Sequence, residues 1–72
     1  MIESQGFAER LKQARHQAGL TQIGLADALG IRQPMICVWE RGHSDLKLSS
    51  VRKLAKVLGC SAGWLAFGSF DE

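Results

Sequence analysis

Apolar residues recur along this chain at intervals of three and four, the spacing of helices that each bury one face. Phe7, Leu11, Ala14 and Ala18 keep that spacing, with Glu9, Arg10, Lys12 and Gln13 on other faces, which predicts a first helix over residues 5–18. Gly19 follows as its C-terminal cap, and Leu20 as the apolar residue that packs back after it. Thr21 then serves as N-cap for a second helix over 22–29. A capping box fails here, because the third helical position holds Gly24 instead of Glu or Gln. That glycine costs a helix about 1 kcal/mol relative to alanine, so either close packing needs the missing side chain or the helix is weak.

Pro34 fits only the first turn of a third helix, where its missing N–H has no partner to lose. The helix therefore starts at Gln33 or Pro34 and ends near Arg41, before Gly42. Proline pushes the preceding residue away from helical angles, so Gln33 is either the N-cap or the first helical residue. Val51, Leu54, Ala55 and Leu58 predict a fourth helix, capped near Ser49 and ended by Gly59. Ser61 caps a short fifth helix carrying Trp64, Leu65 and Phe67 and closed by Gly68. The pattern predicts one all-α domain over residues 1–72, without strand pattern, repeat or linker.

The most informative stretch is 21–40. Leu25, Leu29, Ile31, Ile36 and Trp39 are apolar, Ala26 is small where the next helix must cross closely, and Gly30 stands where the chain reverses. These are the residue types and spacing of a helix-turn-helix, whose second helix can enter the major groove of DNA. Double-stranded DNA is the expected partner.

Composition limits the alternatives without naming one. At 46% hydrophobic residues and with no long apolar run, nothing predicts a membrane span, and the first five residues lack the character of a signal peptide. The expected location is the cytoplasm. A net charge of +2 permits nucleic acid binding, and its distribution matters more than its size. Glu3, Glu9, Asp45, Asp71 and Glu72 lie outside 21–40, whereas Arg32, Arg41, His43 and Lys47 lie in it or just after it. Cys37, Cys60, His16 and His43 do not fall at metal-ligand spacing, so no metal or cofactor is expected, and Cys60 reads as a small core residue. No nucleophile, base and orienting group fall together, so an enzyme is not expected.

With these positions in place, the chain resembles the phage repressor and Cro class of helix-turn-helix domains (lambda repressor-like, Xre-type). The resemblance runs through Arg15-x-x-x-Gly19-Leu20-Thr21-Gln22, Leu25-Ala26-x-x-Leu29-Gly30, Ile36-x-x-Trp39-Glu40-Arg41-Gly42, Leu54-Ala55-x-x-Leu58-Gly59 and Ser61-x-x-Trp64-Leu65-x-x-Gly68. It implies a five-helix lambda repressor-like bundle with helices 2 and 3 as the helix-turn-helix and helix 3 as the recognition helix. It also implies a stand-alone or Cro-like repressor acting as a homodimer on a palindromic operator. Gln22 corresponds to a position that touches backbone phosphate, and Gln33 to one that reads adenine. Pro34 and Val38 fall at base-facing positions but cannot hydrogen-bond a base edge, although Val38 can pack on a thymine methyl. Arg15 and Glu40 correspond to a structural ion pair between helices 1 and 3.

Other positions carry weaker expectations. Arg32 is expected to touch phosphate or base, and Met35 is either an apolar DNA contact or a partly buried filler. Cys37 stands where the resemblance implies a small hydroxyl residue, and reads as either a weak phosphate contact or small-residue packing. Arg41, His43, Ser44 and Lys47 flank the end of the recognition helix and are candidate phosphate contacts, whereas Arg10, Lys12 and His16 read as solvated. Trp64, Phe67 and Phe70 read mainly as core or cap, with one or two available for a dimer contact. The competing reading, from a different class, is an antitoxin-like or other protein-interaction module on the same fold; Pro34, Val38 and the modest charge favour it.

Overall fold

The computed structural model describes residues 4–42 and 46–68, and of Ser4 and Gln5 only the backbone. Five helices make up the described chain: α1 (Ser4–Gln17), α2 (Gln22–Leu29), α3 (Gln33–Glu40), α4 (Leu48–Leu58) and α5 (Ala62–Phe67). α1 packs against α3 and α5, α2 against α3 and α4, and α4 against α5. Their buried faces meet in one core built on Phe7, Leu11, Leu25, Ile36, Val51, Leu54 and Leu65, with Trp39 closing it from α3. Leu29, Ile31 and Trp64 pack against this core while staying partly exposed.

Helix ends follow local chemistry. Thr21 is extended and its hydroxyl accepts from the Gly24 N–H at 2.9 Å, while Ser61 accepts from the Trp64 N–H at 3.2 Å. After α1, α2 and α4 the chain closes in one recurring way. The N–H groups of Leu20, Ile31 and Cys60 reach back to the carbonyls of Arg15, Ala26 and Ala55 at 3.1, 3.0 and 3.0 Å. This closure turns the apolar residue after each cap back toward the core. Its demand on the backbone is clearest at Gly30, the turn between α2 and α3, which takes φ 71 and ψ 31. A side chain at Gly30 would meet nothing within 4 Å, so the requirement for glycine lies in the left-handed backbone alone.

Gly24 has a different reason. A Cβ there would come within 3.2 Å of the Thr21 hydroxyl and 3.5 Å of Leu20, so the missing side chain leaves room for the cap itself and not for another helix.

Two helix starts fall within the expected range, and one expectation needs correction. The N-cap of α3 is Arg32, extended at φ −85 and ψ 144, which makes Gln33 the first helical residue and Pro34 the second. The N-cap of α4 is Lys47, two residues before Ser49, which lies inside the first turn. The reason is register: the Val51 N–H bonds to the Lys47 carbonyl at 3.2 Å, so a helix that buries Val51 has already begun one turn earlier. Arg10 is no solvated surface residue. It reaches across to the end of α5 and donates to the carbonyls of Leu65 and Ala66 at 2.9 and 2.8 Å. A positive charge on the carbonyl end of a helix is favourable, and it satisfies acceptors that have no partner within the helix.

Candidate nucleic-acid interface

Geometry on α3 sorts its residues into two sides. Ile36, Trp39 and Glu40 face inward and are buried, while Pro34, Met35, Val38 and Arg41 are exposed and Gln33 and Cys37 are partly so. Residues 34, 38 and 41 share one line along the helix, being four and three apart, with Met35 on one flank and Gln33 and Cys37 on the other. Arg32 is exposed at the start of α3, and Lys47 lies exposed ahead of α4. Met35 also borders a cleft of about 240 Å³ with Leu29, Ile31, Trp39, Ser50 and Lys53, so it belongs to the flank of the helix more than to its outer line.

Beneath this face runs a continuous polar network. Arg15 of α1 donates to Glu40 through Nε at 2.6 Å and through a terminal nitrogen at 3.2 Å, a two-point contact between buried side chains. Its other terminal nitrogen donates to the Leu20 carbonyl at 2.9 Å, tying the end of α1 to the same anchor. Glu40 then accepts from Gln22 Nε2 at 3.1 Å, and Gln22 Oε1 accepts from Gln33 Nε2 at 2.7 Å.

The polarity of this chain of bonds is forced from its inner end. An ionised carboxylate can only accept, so Gln22 must present its NH₂ to Glu40 and its oxygen to Gln33. Gln33 must in turn present its NH₂ to Gln22. It keeps one N–H and the whole of its Oε1 for a ligand, one donor and one acceptor, which is what a two-point contact to adenine N7 and N6 requires. Glu40, although buried, thus determines how Gln33 faces outward. Sequence reasoning treated Arg15–Glu40 and Gln22, Gln33 as separate matters. The signal that could have joined them is that Gln22 and Gln33 each open a helix, and the openings of α2 and α3 meet.

Lys12 and His16 of α1 are exposed, with His16 Nε2 lying 3.3 Å from an Arg15 nitrogen. His43, Ser44 and Phe70 lie outside the described residues. Trp64 packs against the core, whereas Phe67 is 60% exposed. Cys60 is partly buried, and burial pushes its thiol pKa up. Among the described residues no three His, Cys, Asp or Glu side chains gather as a metal site would need. No described helix is long and apolar enough to cross a membrane.

A helix-turn-helix family model matches residues 11–65, a span that holds α2, α3, the turn between them and most of the remaining core. The chain belongs to the Cro/C1-type helix-turn-helix family. Within that family it is similar to the HTH-type transcriptional regulator DicA of Escherichia coli K12, 39% identical over 66 residues, which cover 92% of this chain and 49% of DicA. It is also similar to (S)-2-hydroxypropylphosphonic acid epoxidase of Streptomyces wedmorensis, 40% identical over 63 residues, covering 86% of this chain and 32% of the enzyme. A solved structure of that epoxidase superposes with a TM-score of 0.84 at 38% identity, over 90% of this chain and 35% of that one. The hypothetical transcription factor NHTF from Neisseria superposes equally well, with a TM-score of 0.84 at 26% identity, over 90% of this chain and 75% of NHTF. The chain therefore spans about a third to a half of the length of these two curated family relatives.

Proposed function

We propose that this chain is the sequence-reading module of a transcriptional regulator, a repressor that inserts α3 into the major groove of a palindromic operator. The observation that carries the reading is the pinned amide of Gln33 at the start of an exposed helix, with one donor and one acceptor left over. Gln22, at the first position of α2, keeps its second amide hydrogen for a phosphate, at a helix end whose dipole favours an anion. Arg32 and Arg41 at the two ends of α3 and Lys47 ahead of α4 are exposed cations available to a duplex backbone. Kinship with named transcriptional regulators supports the same reading.

Two copies would present their α3 helices about 34 Å apart, one turn of B-DNA, and exposed Phe67 is the described aromatic available to join them. A single small module has few phosphate contacts, and pairing doubles them.

A second reading is a protein-interaction module, antitoxin-like or serving a larger protein. It is favoured by the exposed apolar residues Pro34, Met35 and Val38, and by similarity to part of the Streptomyces wedmorensis epoxidase. Titration with duplex DNA at two salt concentrations separates the two. Binding that weakens steeply with salt is expected of the operator reader. Undetectable binding to any duplex at low salt would overturn it in favour of the second reading.

A further inference from the structure

We infer that α3 reads the 5-methyl groups of thymine, and that its operator half-site is A·T-rich beneath Pro34 and Val38. This deepens the DNA-binding reading above and rests on it. The outer line of α3 has an unusual composition for a base-facing surface. Pro34 and Val38 lie one turn apart on it, Met35 flanks it at 45% exposure, and Val38 is itself 39% exposed. Proline and valine side chains carry no donor or acceptor, and the methionine thioether is only a weak acceptor. The one amide on this helix, Gln33, sits at its N-terminal end and is held by Gln22 at 2.7 Å, so it cannot swing along the helix to read a second base.

A strip of this kind discriminates through the methyl group. Thymine is the only base with a methyl group in the major groove, and packing it on Val38 or Pro34 removes apolar surface from water on both sides. A G·C pair at the same place offers three polar groups, as an A·T pair does, but no methyl for the strip to cover. Charge favours a nucleic acid over a peptide as the occupant. Exposed Arg32 and Arg41 bracket the strip, and the acid on α3, Glu40, is turned inward onto Arg15.

The test starts from the duplex. The chain is used to select its preferred duplex from a random pool, and that duplex is then made with deoxyuridine in place of thymidine, one position at a time. Uracil keeps every hydrogen-bonding group of thymine and lacks only the methyl. At one or two positions per half-site the substitution should weaken binding about four-fold, the value of one buried methyl. Val38→Ala, a change at a position outside the core, should shrink that penalty to below about two-fold while circular dichroism reports an unchanged fold. A selected duplex that binds equally well with uracil at every position overturns the inference and leaves the DNA-binding reading standing. A pool from which no duplex is enriched overturns the DNA-binding reading, and this inference with it.

Discussion

Glu40 carries two jobs that pull in the same direction. Its carboxylate holds the Arg15 guanidinium at two points and orients Gln22, so one buried acid both ties α3 to α1 and fixes the amide that faces outward. Removing it leaves a buried arginine without its partner. Glu40→Ala is therefore expected to lower stability by about 3–5 kcal/mol, measured by urea or thermal unfolding. A loss below about 1 kcal/mol would mean that Arg15 finds water or another acceptor, and that the pair is not the anchor described. Arg10 gives a second case. Its two bonds to the carbonyls at the end of α5 are charge-assisted, and Arg10→Ala should cost about 2 kcal/mol despite the partly exposed position of the side chain. Unfolding of Arg10→Ala at the wild-type midpoint would return Arg10 to the solvated surface.

At the scale of elements, the turn between α2 and α3 sets the angle at which the outer face is presented. Because a Cβ at Gly30 meets no neighbour, Gly30→Ala isolates the backbone cost of φ 71. The expected destabilisation is about 1–2 kcal/mol in an unfolding titration. Unchanged stability would show that the turn relaxes to another conformation.

The five helices were readable because their ends are written in adjacent residues. Thr21 and Ser61 act as caps on N–H groups three residues on, and Gly30 and Gly59 end helices by local backbone closure. The start of α4 was readable only to within two residues of Ser49. A hydroxyl residue near a helix start looks like a cap, but the position of Val51 in the core starts α4 at Leu48 and leaves Lys47 as a cap without a side-chain bond. What no local pattern carries is contact across the fold. Arg10 meets carbonyls more than fifty residues away, and the Glu40–Gln22–Gln33 chain joins positions from two helices. The candidate face was legible residue by residue, but its wiring was not.

For the molecule as a whole, the proposed operator reading asks for more contact than one small module offers. Phe67 at the end of α5 is 60% exposed among the described residues, while Trp64 packs on the core. If two copies join there, Phe67→Asp should shift the sedimentation coefficient from dimer to monomer and weaken operator binding at least ten-fold, with the helical content retained. Sedimentation of Phe67→Asp as a dimer would place the contact elsewhere. A pair with two α3 helices reads two half-sites, so the account also expects the preferred duplex to be a palindrome.

The central claim is that the amide of Gln33, held by Gln22 and Glu40, reads one base pair in each half-site. Its most direct test is the base-preference profile of the chain and of Gln33→Ala, obtained by selection from the same random duplex pool. The account predicts that the variant loses preference at one base pair per half-site, at a cost of about 1–3 kcal/mol on the wild-type operator, while the other positions keep theirs. A variant whose affinity and base preferences match those of the parent chain would contradict it.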